Sequence, residues 1–355
     1  MKDKSKLILL LDNKNPWSSS KNKIWLSSSV TFFRNLEKFN FPGKLETERQ
    51  KTVVNLVSEE LLKYKGLNDL TLFRGEQLDP LEKEFLTEHF LSTDNFHHVH
   101  AGEAFVVDNA GEFVATINMH NHINFHLMEN NGNIEDAWNR LLKVETAIGK
   151  SLSYAFSQRF GFLSSEPAEA GTGLQVTIYL QWPALVHTDT IDEVLDKHAD
   201  DSVLITGFQG SPTELIGDIL MVKNNYSIGV SEEKILSSLH HFTTKMILEE
   251  NTARSKIRKE ENPEMKDRVS RAYGILIHSY QLETIEALNA LSLLKLGIDF
   301  EWVKGITVSD INTLTFNCRR AHLVNLLNEK IEQESLSHKR AEFVHQALKN
   351  VSLVI

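Results

Sequence analysis

Across the charged stretch from Ser255 to Asp267, which contains Pro263, the hydrophobic pattern of the chain changes period. Upstream, helix-like segments alternate with short runs of β-branched and aromatic residues. Downstream, only the helical period is found. Such a layout calls for an α+β part followed by an all-α part, with the boundary in this stretch. Downstream helices are predicted over Met265–Ser279, Thr284–Gly297, Ser309–Leu327 and Glu334–Asn350. Val269, Ala272, Tyr273 and Leu276 are spaced three and four apart, and Ile285, Leu288, Leu291 and Leu294–Leu296 form a second, wider stripe. Stripes of this kind either close on one another or are shared across a dimer.

Upstream, residues 1–23 are rich in Lys, Asn and Ser and are expected to form a loose arm. Helices are expected over Glu46–Lys65, where Val53, Leu56, Val57, Leu61 and Leu62 share a face, and over Leu78–Leu91, with Pro80 in the first turn. Ala104–Val107 and Phe113–Ile117 flank the turn Asp108-Asn109-Ala110-Gly111 and read as a hairpin. A long helix over Ile134–Phe156 is followed by strands at Gly161–Ser164 and Gln175–Gln181. A short helix at Asp189–His198 precedes strands at Val203–Phe208 and Ile219–Lys223. A further helix opens at Ser231, where Ser231-Glu232-Glu233-Lys234 resembles a capping box, and runs past Arg254.

The 355 residues suffice for two domains, and the net charge of −10 argues against a general nucleic-acid or acidic-membrane surface. Cys318 is the single cysteine, so no intrachain disulfide can form. Apolar runs such as Leu7–Leu11 are too short for a bilayer, and the N-terminus shows no secretion signal. Cytoplasmic location without membrane attachment is the expectation. No Ser/His/Asp signature, Walker loop or Cys/His metal ladder is present, and Cys318 suits a core position better than a nucleophile's.

Several short segments occur in a telling order. They are Ser27-Ser28-Ser29-Val30-Thr31-Phe32-Phe33-Arg34-Asn35-Leu36, His89-Phe90-Leu91-Ser92, Ile117-Asn118 with His122, Gly161-Phe162-Leu163-Ser164-Ser165-Glu166-Pro167, Gly171-Thr172-Gly173-Leu174, Pro183-Ala184-Leu185, Gly207 to Glu214, and Val269-Ser270-Arg271-Ala272-Tyr273-Gly274-Ile275-Leu276. In order and spacing, from about residue 24 to residue 323, they resemble the bacterial protein-arginine kinases of the phosphagen (ATP:guanido phosphotransferase) kinase family. The resemblance implies a phosphagen-kinase-like domain over 24–256, a mainly antiparallel sheet flanked by helices. A helical dimerisation and regulatory domain over 265–355 would follow. It also implies Mg-ATP as the family's cofactor, a homodimer, and as partners a zinc-binding activator protein and an AAA+ unfoldase in protein quality control. In the family, arginines hold the ATP phosphates, and two glutamates orient the substrate guanidinium in line with the γ-phosphorus.

The chain departs from the family at those positions. The two arginines of the Ser-x-Arg-x-Arg motif are Ser29 and Thr31, although Arg34-Asn35-Leu36 follows unchanged. The Asn-Glu-Glu-Asp-His-x-Arg loop reads Asn118-Met119-His120-Asn121-His122-Ile123-Asn124, so Met119 and His120 replace the glutamates and Asn124 the arginine. Gln175 and Thr206 replace two further arginines, Ser211 follows Gly210 where the family has Gly-Glu, and Glu166 stands in place of the family's cysteine before proline. His89, Gly171, Thr172 and Gly173 remain at nucleotide-binding positions. Each charge-assisted phosphate contact contributes roughly 1.5–3 kcal/mol, whereas a whole millimolar-to-micromolar site amounts to about 4–8 kcal/mol. Losing several such contacts abolishes useful ATP affinity, and Glu166 adds repulsion.

The expectation is a pseudokinase that needs no cofactor and acts through protein binding. The alternative is an active ATP-dependent guanidino kinase with rearranged residues. His120 is a candidate base or a loop histidine at the rim of a former pocket. His97, His98, His100, His120, His122 and His126 admit a metal reading or a half-exposed sheet edge. Gly171-Thr172-Gly173 could cradle an anion or simply make a tight turn. In the helical part, the family's Arg-Asp-x-x-Arg-Ala motif for phosphoarginine matches Leu336-Ser337-His338-Lys339-Arg340-Ala341 only in its second half, leaving Arg340. With Arg319, Arg320 and Lys339 it reads more simply as a solvated basic face.

Overall fold

A computed structural model describes residues 6–12, 14–17, 23–91, 101–208, 215–328 and 331–355. In chain order its elements are α1 (Lys6–Leu11), β1 (Trp25–Arg34), α2 (Thr47–Lys63), β2 (Thr71–Arg74), α3 (Pro80–Phe90), β3 (Ala104–Val107), β4 (Phe113–Ile117), β5 (Ile123–Glu129), α4 (Ile134–Gly149), β6 (Phe156–Ser157) and β7 (Gly161–Phe162). Then come β8 (Leu174–Gln181), α5 (Pro183–His187), α6 (Ile191–Lys197), β9 (Val203–Gly207), β10 (Ile219–Asn224), α7 (Glu232–Lys259), α8 (Pro263–His278), α9 (Thr284–Asp299), β11 (Val303–Lys304), α10 (Val308–Asn317), α11 (Arg320–Leu327), α12 (Leu336–Leu348) and β12 (Ser352–Leu353).

Eight strands form one sheet in the order β2-β3-β4-β5-β1-β8-β10-β9, and every neighbouring pair is antiparallel. The period of two sorts its side chains onto two faces. Val30, Phe32, Phe125, Val176, Ile178 and Val222 turn to a core roofed by α2, α4 and α7. Phe105, Val107, Val114, Met128, Tyr179 and Met221 belong to the opposite face, which packs with α1, α3 and residues of the C-terminal helices.

That second roof corrects two expectations. The segment 1–23 is not a loose arm where it is described: Leu7, Leu11 and Trp17 are buried, and the Trp17 indole donates to Ser27 Oγ at 2.8 Å. The helices after Pro263 do not stand apart either. Leu288, Phe316 and Ala321 share a core with the sheet, Asn289 Oδ1 accepts from the Gly217 amide, and Asn312 donates to the Trp17 carbonyl. Both apolar stripes are consumed internally: Val269, Ala272, Leu276, Leu291 and Leu294 form a third core, whereas Ile285 is exposed.

Local expectations fared unevenly. The strands of the 104–117 hairpin lie where expected. The helix beginning at Ile134 stops at Gly149, because the chain must turn through Ser151 and Ser153 to bond with Glu37 of the β1 exit. The predicted 309–327 helix is two, broken at Cys318–Arg319 where α11 takes a new cap. β5 had no strand assigned to it and is interior, between β4 and β1, so the sheet-edge reading fails for its histidine, His126.

Candidate functional site

Alternate residues of β1, β8, β5, β4 and β10 floor a cavity of about 260 Å³ on the second face. Ser29, Thr31 and Phe33 come from β1, Gln175, Thr177 and Tyr179 from β8, and Asn124 and His126 from β5. The register brings the substituted family positions together: Thr31 lies opposite Gln175 on one side and His126 on the other, and Phe33 lies opposite Asn124. Four of the five positions where the family resemblance implies an arginine thus line one cavity, and none of its described lining residues is an arginine. The fifth, Thr206, pairs with Met221 on β10 but is not part of the lining. Ser211, with Gly210, lies outside the described residues.

The rim is welded by an amide-rich network. Asn35 donates to Asn121 Oδ1 at 2.7 Å and accepts from the His122 amide, while Asn121 donates to Glu169 Oε2 at 2.9 Å. The hydroxyl of Ser164 donates to the same Glu169 oxygen, and the Ser165 hydroxyl to the His120 carbonyl. His120 is exposed at the cavity mouth, beside Glu166, and Met119 packs in part against the second core. His122 Nδ1 accepts from the Leu36 amide, and burial pushes its pKa down to about 4. His126, hydrogen-bonded to Thr31 Oγ1 at 2.9 Å, is likewise lowered to about 4 by burial. Both are neutral at pH 7 and add no positive charge to the floor. Among the described residues, no group of three His, Cys, Asp or Glu is placed to hold a metal, and His97, His98 and His100 lie outside them.

Arg34, retained from the motif, faces away from the cavity. Its Nε donates to Glu145 Oε1 at 2.7 Å, its Nη1 to the carbonyls of Phe33 and Thr172, and its guanidinium sits 3.6 Å from the centroid of the Phe162 ring. Gly173 is required beneath it: at φ +60°, a Cβ would come 2.5 Å from Arg34 Nη1 and 2.8 Å from the Phe33 carbonyl. The amides of Gly171 and Thr172 are also engaged, Gly171 N–H donating to the Phe162 carbonyl and Thr172 N–H to that of Ser227. The segment is a tight turn that anchors a strand.

Two further sites lie in the core. His89 is fully buried, in contact with Phe85, Phe90 and His322, and burial lowers its pKa to about 3. Arg340, 2% exposed, donates to the carbonyls of Cys318 and Leu282, each at 2.7 Å, so it is not part of a solvated face. Cys318 is buried, and burial pushes its thiol up to about 12.

The sequence reading missed Thr177, Tyr179, Met221, Lys223 and Glu169, and it named His126 only as a candidate metal ligand. Extending the period of two along β8 from Gln175 would have found Thr177 and Tyr179, and the same step on β10 links Met221 to Lys223. Among the described residues, the polar part of the floor is mostly Ser, Thr, Asn and Gln, Lys223 is the one lysine, and Glu166 and Glu169 flank it, a donor set poor in the cations that a triphosphate needs.

No helix among the described residues is long and apolar enough to cross a membrane. Residues 52–253 match the family profile "ATP:guanido phosphotransferase, C-terminal catalytic domain", and residues 262–353 match "Protein-arginine kinase McsB C-terminal domain". The chain is 31% identical over 342 residues to a protein-arginine kinase of Chlamydia pneumoniae, covering 94% of each chain, and 28% identical to one of Clostridium tetani, covering 95% of this chain and 99% of the relative. Its fold is similar to that of a lombricine kinase (TM-score 0.57, 19% identity, 67% of this chain and 70% of that one). It is also similar to the duplicated taurocyamine kinase of Schistosoma mansoni (TM-score 0.58, 20% identity, 66% of this chain and 34% of that one). With both profiles matched in order along one antiparallel sheet and its helical continuation, the chain belongs to the protein-arginine kinase family of ATP:guanido phosphotransferases.

Proposed function

We propose that this member of the family has lost ATP binding and phosphotransfer and acts by binding proteins in quality control or regulation. The reading rests on one observation: Ser29, Thr31, Asn124 and Gln175 meet in one cavity in place of the arginines a nucleotide would need. Arg34 cannot substitute, because it is committed to Glu145 and to backbone carbonyls. His120 could accept a proton but cannot hold a guanidinium bidentately. The proposed partners are a second copy of the chain, a zinc-binding activator protein and an AAA+ unfoldase, in the cytoplasm.

A second reading, a working guanidino kinase with rearranged residues, has Lys223 in its favour, since that residue gives the cavity a cation. Titration calorimetry with Mg-ATP, beside a kinase assay on an arginine-rich protein, separates the two. A micromolar dissociation constant or clear phosphoarginine formation overturns the first reading.

A further inference from the structure

Where β1 begins and β5 ends, an open cavity of about 870 Å³ lies between the turn after β5, the helix α7 and the end of α9. Its walls include Lys23, Asn130, Asn131, Arg254, Arg258 and Asp299. Three cations therefore gather around Asp299. Lys23 pairs with the Asp299 carboxylate, Arg254 Nη1 reaches it at 3.2 Å, and Arg258 Nη2 donates to the Asp299 carbonyl at 2.7 Å. Arg254 is buried and also bonded to Glu250 at 2.7 Å. Glu250 in turn is buried beneath it and accepts from the amides of Ala184 and Leu185.

Two neighbours register the positive field. Burial alone would raise Asp299, yet the bond from Lys23 and the charge of Arg254 hold it below the usual carboxylate range. Lys295, buried with its ammonium 2.7 Å from Gln181 Oε1, is pushed down to about 7 by burial and further by Arg254. In a chain of net charge −10, this is a local excess of cations in a concave surface.

We propose that this cavity binds a phosphate dianion, free or carried on a phosphorylated chain, clasped between Lys23 and Arg258 with Arg254 behind. The chemistry follows from the donors. Of the five N–H groups of Arg258, one is committed among the described residues, and its planar fork suits two phosphate oxygens. Lys23 is half exposed and offers an ammonium with three N–H groups, one of them already engaged by Asp299. Asn130 and Asn131 line the same wall. A bound dianion would join the turn after β5 to α7 and α9, tying the sheet to the helices beyond Pro263. It would therefore stabilise the folded chain in proportion to its occupancy. The site is separate from the cleft on the sheet and does not depend on how that cleft is read.

The test uses the full chain, with sodium phosphate against sodium chloride at equal ionic strength, by titration calorimetry and thermal melting. A phosphoserine peptide and its unphosphorylated form make the second arm. Saturable binding of phosphate, of the phosphopeptide or of both supports the site and tells which source it takes. Lys23→Gln and Arg258→Gln should each weaken that binding about tenfold, the loss of one charge-assisted contact. Both side chains are at the surface, and an unchanged melt in chloride verifies the fold of the variants. The proposal is overturned if neither probe binds saturably, or if the double variant binds as tightly as the parent.

Discussion

Arg34 and Glu145, far apart in sequence, meet at 2.7 Å inside the first core, with the arginine 1% exposed. Arg34 stands at the end of the segment in which the family resemblance implies arginines at Ser29 and Thr31. Its bonds to the Phe33 and Thr172 carbonyls explain why it serves the fold rather than a ligand. Removing one partner of such a buried pair leaves a charge without compensation, at about 3–5 kcal/mol. Arg34→Ala and Glu145→Gln should therefore each lower the urea midpoint strongly. A loss below about 1 kcal/mol in both, the range of exposed pairs, would show that the pair is not structurally important.

Gly173 gives an independent probe of the same corner. Alanine there would hold a left-handed backbone and push its Cβ against Arg34 Nη1 and the Phe33 carbonyl. Gly173→Ala should destabilise by about 1–3 kcal/mol. Gly274, which has nothing within 4 Å of an added Cβ, is the control and should be stabilised or unchanged on substitution by alanine.

Restoring catalysis should need the phosphate cradle first. His120→Glu with Ser211→Glu supplies two carboxylates and should remain inactive. Activity, if it can be recovered at all, should require arginines at Ser29, Thr31, Asn124 and Gln175 as well. Robust phosphorylation by the two-carboxylate variant would mean that the neutral floor does hold ATP.

The buried histidines set a pH response. His89, His122 and His126 have folded pKa values of about 3, 4 and 4, below the unfolded value near 6.5. A group lowered in this way favours the folded state while it is neutral in both states. That advantage is lost as pH falls from 6.5 towards the folded pKa, because the unfolded chain takes up the protons. For His126 the loss amounts to up to about 3 kcal/mol. Stability should fall steadily from pH 7 to pH 5, and His126→Gln should flatten the slope. A stability independent of pH across that window would contradict the burial of these rings.

The proposed self-association can be checked by light scattering coupled to gel filtration. A dimer at micromolar concentration is expected. Its interface should not involve Val269, Ala272 or Leu276, which the protein uses internally. A clean monomer would remove the dimer from the proposal.

Much of the fold was legible because period and punctuation are local. The Ala104–Ile117 hairpin, α7 and α9 announce themselves through alternation, a Ser231 cap and a dense apolar stripe. The site was legible only through the family's motifs, which located Ser29, Thr31, Asn124 and Gln175 but could not say that they share a floor. That depends on strand register, set by pairings between residues far apart in sequence, such as Thr31 with Gln175. β5 stayed hidden because Ile123-Asn124-Phe125-His126 alternates apolar residues with groups that look like chemistry rather than structure. Glu88, which accepts from the amides of Ala321 and His322 and from the His322 ring, was invisible for a similar reason: a cap supplied by another helix leaves no local signature.

That cap has a consequence for the order in which the protein can be completed. During synthesis the central strand β1 must wait for β8, and the second face of the sheet, with Tyr179 and Met221, then waits for Leu288 and Phe316. α11 obtains its N-terminal partner only by finding Glu88 on a helix made long before. The last quarter of the polypeptide is thus the lid on the first, and a ribosome stalled near Asn262 would present a half-walled sheet with its oily side facing water.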